Sequence, residues 1–378
     1  MKILAIETSC DETAVALMEI SGALEKPDIK ILGNTLLSQI HIHEKYGGVF
    51  PNLAKREHEK NLPILLKKTL KEAGYDMSKA RLRTNNNDID YIAVTSGPGL
   101  EPALWTGITF AEKLGKEWHK PVIPVNHMEG HVFSVLFQNQ EFGRGTSKKL
   151  KLPALALLVS GGHTELVYVK DFGNYEIMGQ TRDDAVGEAF DKVARMLGLP
   201  YPGGPKISLL AEKSRFRNKD LGFKLPRPMI NSGNLDFSYS GLKTAVLYKL
   251  KSESVQSSTL HIEFKEDMAR AFEDAAVEVL VEKTRKALYE LEGKVKTLIV
   301  AGGVSANIYL SKEISKLVDE FPEINLQIPI KSLATDNAIM IGIAAFIKTS
   351  IKPEILKNQI TIKAEGNLSI SSSHPSFR

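Results

Sequence analysis

The stretch Lys2-Ile3-Leu4-Ala5-Ile6-Glu7-Thr8-Ser9-Cys10-Asp11-Glu12-Thr13-Ala14-Val15-Ala16-Leu17-Met18 decides the fold, because a second stretch repeats its plan. That second stretch reads Ala154-Leu155-Ala156-Leu157-Leu158, then the turn Val159-Ser160-Gly161-Gly162-His163-Thr164, then Leu166-Val167-Tyr168-Val169. In each, two apolar runs flank a short polar turn, which is the pattern of a hairpin. With an offset of 151 residues, Leu4 falls on Leu155, Ala5 on Ala156, Ser9 on Ser160 and Thr13 on Thr164. Further along each half comes a strand that ends in glycines and enters a helix: Tyr91 to Gly99, and Thr297 to Gly303. The order hairpin, helix, strand-glycine-helix thus occurs twice and predicts a duplicated α/β domain, with two unrelated α/β domains as the alternative.

The length, 378 residues, suits two domains, each with its own core. A composition of 43% hydrophobic and 25% charged residues excludes disorder, collagen and coiled coil. With 49 Lys+Arg against 45 Asp+Glu, the net charge of +4 is too small to argue for a polyanionic partner. The one cysteine, Cys10, rules out an intrachain disulfide and a cysteine metal cage, so a metal would need histidines and carboxylates. Glu7 interrupts the first apolar run before a signal segment is complete, and no apolar run reaches membrane length. A cytoplasmic protein is expected, with no membrane partner. Helical periodicity is expected over Pro63–Ala73, Ala103–Trp118 and Glu263–Glu292, surface loops at Lys79–Asp88 and Asn139–Lys151, and a frayed tail after Lys352.

Several short runs can carry chemistry. Ser160-Gly161-Gly162 offers consecutive backbone N–H groups without Cβ obstruction, which suits phosphate oxygens; it is equally ordinary hairpin chemistry. The matching turn of the first half carries Asp11 and Glu12, and two carboxylates repel a phosphate unless a cation intervenes. His127 and His131 are four apart, so on a helix both imidazoles share one face and can share a metal, although a pair of surface histidines has the same spacing. Glu129 lies two residues after the first histidine and points away from that face, which makes a zinc-protease reading physically poor. Asp336 can supply a third ligand or simply cap the apolar helix that follows it. Asp191 can accept from ribose hydroxyls or belong to a solvated face, and Asn307, after Ala301-Gly302-Gly303, can offer its amide at a strand end. The turn Tyr201-Pro202-Gly203-Gly204-Pro205 brings backbone close to a neighbour. Basic residues at Lys55-Arg56, Lys148-Lys149, Arg215, Arg217, Lys219, Lys224 and Arg227 make an RNA backbone contact conceivable, with solvated side chains the default.

Taken together, Ile6 to Thr13, the HMEGH at 127–131, SGGHT at 160–164, GEAFDK at 187–192, YPGGP at 201–205, DFSYSGLKT at 236–244, AGGVSAN at 301–307 and TDNA at 335–338 resemble the TsaD family of tRNA N6-adenosine threonylcarbamoyltransferases, in its bacterial branch. The resemblance implies an actin-like ATPase-superfamily (ASKHA) fold, α/β, with two related RNase H-like domains facing a cleft. The expected divisions are residues 1–125, with a helix at about 338–350 packing back on them, residues 126–337, and a tail over 351–378. It implies transfer of a threonylcarbamoyl group from threonylcarbamoyl-adenylate to N6 of adenosine 37 in tRNAs that read codons beginning with adenine, with release of AMP. By motif match, His127, His131 and Asp336 would bind one divalent ion, iron(II) before zinc or magnesium. Leu158, Val159, Ser160, Gly161, Gly162, His163, Asp191, Gly204 and Asn307 would bind the adenylate. Asp11 and Glu12 match acidic positions implicated in activity, Asp11 being the candidate base. Implied partners are tRNA, a degenerate paralogue (TsaB-like) and a P-loop ATPase (TsaE-like).

Two rival readings stand beside this one. An actin-like kinase would carry an Asp-x-Gly turn in the first hairpin, and Asp11-Glu12 stands there instead. A non-catalytic nucleotide-binding scaffold would have no use for the complete metal and phosphate motifs. The archaeal and eukaryotic branch has a tyrosine beside the second turn as a further metal ligand; this chain has Leu158 there and His163 within the turn. Asn52 stands where many bacterial relatives have an acid.

Overall fold

Strand β1 (Lys2–Glu7) is buried along nearly its whole length, as a strand with both faces covered must be. It pairs antiparallel with β2 (Glu12–Ala23), which pairs antiparallel with β3 (Lys26–Ser38). On its other edge it runs parallel to β4 (Tyr91–Gly97), which is parallel to β5 (Val122–Asn126). A hairpin of β6 (Gln138–Glu141) and β7 (Arg144–Thr146) extends the β3 edge, giving seven strands in the order β5-β4-β1-β2-β3-β7-β6. The second sheet comprises β8 (Ala154–Val159), β9 (Thr164–Asp171), β10 (Asn174–Gln180), β11 (Thr297–Ala301) and β12 (Asn325–Gln327) in the order β10-β9-β8-β11-β12.

The chain is seen here as a computed structural model that describes residues 1–75, 88–141, 144–146, 149–256, 261–357 and 361–372. Setting aside the β6–β7 extension, both sheets follow the order third, second, first, fourth, fifth, with the same senses of pairing. The match extends to register. Leu4 faces Leu17 and Leu155 faces Tyr168, while Ile3 lies beside Tyr91 and Ala154 beside Thr297. The duplication expected from the offset of 151 residues is therefore present pair by pair.

Alternation along the strands sorts the core into layers. Leu4, Ile6, Val15 and Leu17 face the helices Pro51–Glu72 and Glu101–Trp118. Leu155, Leu157 and Leu166 face the helices Val186–Met196, Gly203–Phe216 and Ile262–Glu290. The opposite faces, through Ile3, Ala5, Ala14, Ala156, Leu158 and Val167, share one core with the helices His127–Phe133 and Ala338–Ile351. The latter helix is apolar all round because it is buried all round, and it packs on β1, β2 and β5.

Some expectations change. The helix expected from Pro63 begins at Pro51, where proline suits the first turn, and Pro63 sits on its exposed side. The other two run Glu101–Trp118 and Ile262–Glu290. The loop expected over 139–151 contains strand, because Ile29 and Lys30 of β3 offer it an open edge. Most of the loop expected at 79–88 lies outside the described residues. Over its described residues 361–372 the tail is ordered: Ile362 and Ile370 are buried, Glu365 N donates to Ser96 O (2.9 Å), and Gly99 N donates to Gly366 O (3.0 Å); residues 358–360 and 373–378 lie outside the described residues.

Candidate metal centre and the cleft between the repeats

Asn126 ends β5 and caps the short helix His127–Phe133, its Oδ1 accepting from Met128 N (2.8 Å). One helical turn then places His127 and His131 on the same buried face, ring centroids 4.7 Å apart and nearly perpendicular. Asp336 comes from the turn before the helix Ala338–Ile351. The cap of that helix is Asn337, whose Oδ1 accepts from Met340 N (2.9 Å), so Asp336 is released from capping. Its Oδ1 lies 3.3 Å from Nε2 of both histidines. One ligand atom from each of His127, His131 and Asp336 falls within 4.8 Å of the others.

The chemistry of the cluster fits a cation. Neither ring nitrogen of His131 makes a hydrogen bond although both are buried, a costly arrangement unless an electron-pair acceptor is to be bound. His127 Nδ1 lies 3.1 Å from Glu7 Oε2, which turns its Nε2 toward Asp336. Burial opposes a charge on His127, yet Asp336 and Glu7 raise its pKa well above normal. Burial lowers that of His131. Two carboxylates around His127 thus favour a positive charge, carried by the imidazole or by a divalent cation at Nε2. Two imidazoles and one carboxylate suit iron or zinc better than magnesium, which favours oxygen ligands. Glu129 points the other way and interacts with Tyr175 and Lys348.

Glu7 escaped the sequence reading. It is fully buried, Oε1 accepting from Ser9 N and Oε2 from Thr95 Oγ1 (2.6 Å). The one mark it leaves in the sequence is a charge at the end of an otherwise apolar strand.

The first turn touches this centre through Ser9, whose Oγ lies 3.3 Å from His127 Nδ1. Asp11 is buried and its Oδ2 has no hydrogen-bond partner. Burial, then Asp11 and Asp336, push the Glu12 carboxyl well above its ordinary pKa. The second turn is held by Ser160 N donating to His163 O (2.9 Å), and a Cβ at Gly161 or Gly162 would meet nothing within 4 Å. His163 is pushed down to about 4 by burial and by the nearby His127 and His131, so it is neutral at pH 7. Leu158 and Val159 have core side chains and offer a ligand only their backbone.

Two expected nucleotide residues are engaged structurally. Asp191 Oδ1 accepts from Gly203 N (2.6 Å) at the start of the helix Gly203–Phe216, which also contains Gly204. Asn307 caps the helix Ile308–Asp319 through Leu310 N (2.9 Å), while its Nδ2 donates to Ser208 Oγ (3.0 Å) and to the fully buried Glu273 (2.8 Å). Burial and then, after the Gly203 and Gly204 amides that oppose it, the charge of Asp11 raise the pKa of Asp191; Asp11 likewise acts on Tyr201, so the first turn faces this segment. Of the basic candidates, Arg215 pairs with Glu273 (2.6 Å), Arg217 with Glu266 and Asp267, and Arg227 with Glu278 (2.8 Å), which makes them poor phosphate contacts. The DFSYSGLKT run has a structural role: Asp183 accepts from Ser238 Oγ, Tyr239 N and Ser240 Oγ. Among the described residues no helix is long and apolar enough to cross a membrane.

Two sheets of one topology give an actin-like (ASKHA) fold, with a candidate His-His-Asp metal cluster next to the first hairpin turn. HypF of T. kodakarensis shares this fold at a TM-score of 0.55 and 13% identity, over 94% of this chain and 49% of that one. The chain belongs to the TsaD family: the family model for tRNA N6-adenosine threonylcarbamoyltransferase matches residues 30–343. It is 45% identical over 370 residues to the protein of that name from Thermosipho africanus, covering 98% of this chain and 100% of the relative. It is 42% identical over 347 residues to that of Anoxybacillus flavithermus, covering 92% of each.

Proposed function

We propose that this chain transfers the threonylcarbamoyl group of threonylcarbamoyl-adenylate to N6 of adenosine 37 in tRNAs reading codons that begin with adenine. The N6 amine attacks the carbamoyl carbonyl carbon, the bond from that carbon to the phosphate oxygen breaks, AMP leaves, and the N6 proton passes to a base. The observation that carries this reading is the pairing of an open glycine turn with an acidic turn against a His-His-Asp cluster. The adenylate is already activated, so positioning and charge stabilisation are the main demands.

In this reading the Ser160-Gly161-Gly162 backbone holds the phosphate, Asp191, Gly204 and Asn307 line the nucleoside, and His163, being neutral, adds no charge there. Asp11, with its unpartnered Oδ2, takes the N6 proton, and Glu12 stands next to it in the same turn. A divalent ion bound by His127, His131 and Asp336, iron(II) by our first choice, supplies Lewis-acid polarisation of a substrate oxygen. Residues 1–125 with the helix at 338–350 form one wall, residues 126–337 the other. A cytoplasmic enzyme working with a TsaB-like paralogue and a TsaE-like ATPase completes the proposal.

Nucleoside mass spectrometry tests it, with purified protein, synthase-made adenylate and unmodified tRNA, with and without those partners. N6-threonylcarbamoyladenosine from the wild type and none from His127→Ala is the expected result. No product from folded, metal-loaded wild type in any combination would sink the reading.

A further inference from the structure

A buried polar layer lies beneath the first turn. His58, on the helix Pro51–Glu72, is fully buried, its Nε2 3.0 Å from Cys10 O and its Nδ1 2.7 Å from Thr13 Oγ1 and 3.3 Å from Gln39 Nε2. A backbone carbonyl can only accept and an amide nitrogen can only donate, so Nε2 carries the proton and Nδ1 receives. Gln39 continues the layer: its backbone N donates to Asp11 O (2.9 Å) and its Oε1 accepts from His43 Nε2 (3.2 Å). The carbonyls of two successive residues, Cys10 and Asp11, are thus both anchored from below. Burial lowers the pKa of His58, which keeps it in the neutral form this pattern requires.

Packing alone does not ask for a histidine here, since burying a polar ring is costly without partners and an aliphatic side chain would fill the site. The turn above has a reason to need anchoring. It carries two adjacent carboxylates near a third, Asp336, and like charges drive such a turn to rotate its side chains apart. Fixing the carbonyls on one side fixes the peptide planes that present Asp11 and Glu12 on the other.

We propose that His58 is a positioning residue for the transfer reaction, holding the turn Cys10-Asp11-Glu12 through the Cys10 carbonyl so that both carboxylates face the cleft. This rests on the reading above that Asp11 acts in the transfer.

Cys10 is the one cysteine of the chain, so cysteine labelled with carbon-13 at the carbonyl reports on that bond alone. His58→Gln places an amide nitrogen where Nε2 stands; His58→Asn places its amide oxygen near Nδ1, where an acceptor is needed, and abandons Cys10. The carbonyl resonance is expected to stay in His58→Gln and move upfield in His58→Asn. In His58→Asn kcat falls by roughly tenfold or more, with metal content and the KM for adenylate unchanged. An unmoved resonance in His58→Asn overturns the proposal, as does a moved one with wild-type kcat. Equal losses of Tm and activity in both variants would reduce His58 to a structural residue. If His58→Asn does not fold, His58→Gln still decides: a displaced resonance, or a kcat more than about threefold down, overturns the proposal. A wild type that makes no product fails the reaction reading instead, and the resonance still reports whether His58 holds the turn.

Discussion

The two hairpin turns occupy the same place in two copies of one topology, and their chemistry is opposite. Glu7 pairs with Ala14 in the first hairpin, and Leu158 with Glu165 in the second, so each copy carries a glutamate on the same cross-strand pair but on opposite strands, fully buried in the first and half-buried in the second. Glu7 has partners for both oxygens; Glu165 has an oxygen with none. Asp11 stands where Gly162 stands, and Glu12 where His163 stands. Backbone register was kept through duplication while side chains separated into an acidic, metal-supporting wall and an open, glycine-lined one. The fold therefore sets where chemistry can occur, and a handful of side chains sets which wall does what.

The most damaging break removes Asp336 from the His-His-Asp cluster that the acidic turn touches through Ser9. Asp336→Ala is expected to lose the bound ion by elemental analysis and to slow transfer by about 1,000-fold or more. Asp11→Asn should cost about 100-fold in transfer rate with binding unchanged; a rate within about twofold of wild type would remove it as the base. Glu7→Gln is expected to weaken metal binding by about 10- to 100-fold in a calorimetric titration, because His127 loses its orienting carboxylate. On the open wall, Gly161→Val has room for its side chain and should leave Tm unchanged while raising the KM for adenylate about tenfold. An unchanged KM would mean that the ligand does not approach that turn.

The smallest effect concerns Glu165, whose carboxyl burial pushes up to about 7. Between its ordinary value near 4.5 and about 7, the folded chain holds a proton that the unfolded chain has released, so stability falls as pH rises through that window. Glu165→Gln should therefore melt higher than wild type at pH 8, with the gain shrinking toward pH 4.5. A gain that does not vary with pH would assign the effect to packing.

Much of this was legible in the chain because the signals are local. Alternation marks both hairpins, and spacing alone puts His127 and His131 on one helix face. Asp336 lies more than 200 residues away, so its residue pattern leaves it open between third ligand and helix cap, and only the resemblance joins it to the two histidines. Glu7, His58 and Glu273 were passed over because a single polar residue inside an apolar pattern looks like noise until its partners are in view. Asn307 has a structural role that its place after a glycine turn does not announce: its amide caps a helix and donates to Glu273. Residues 361–372 have little apolar density, and their order comes from two isolated anchors, Ile362 and Ile370, together with backbone bonds to Ser96 and Gly99 and the amide of Asn126.

That tail ties the last described segment to the site. Asn126 caps the metal helix with one end of its amide and donates to Ser369 O (3.2 Å) with the other, and Ile370 is buried in the core shared by both sheets. A Cβ at Gly97 would lie 2.1 Å from Glu365 O, so β4 is shaped to receive this segment. Across 243 residues of sequence, the segment braces the helix that carries the His127–His131 pair. A cut before residue 361 is therefore expected to leave that helix unbraced without removing a single candidate ligand.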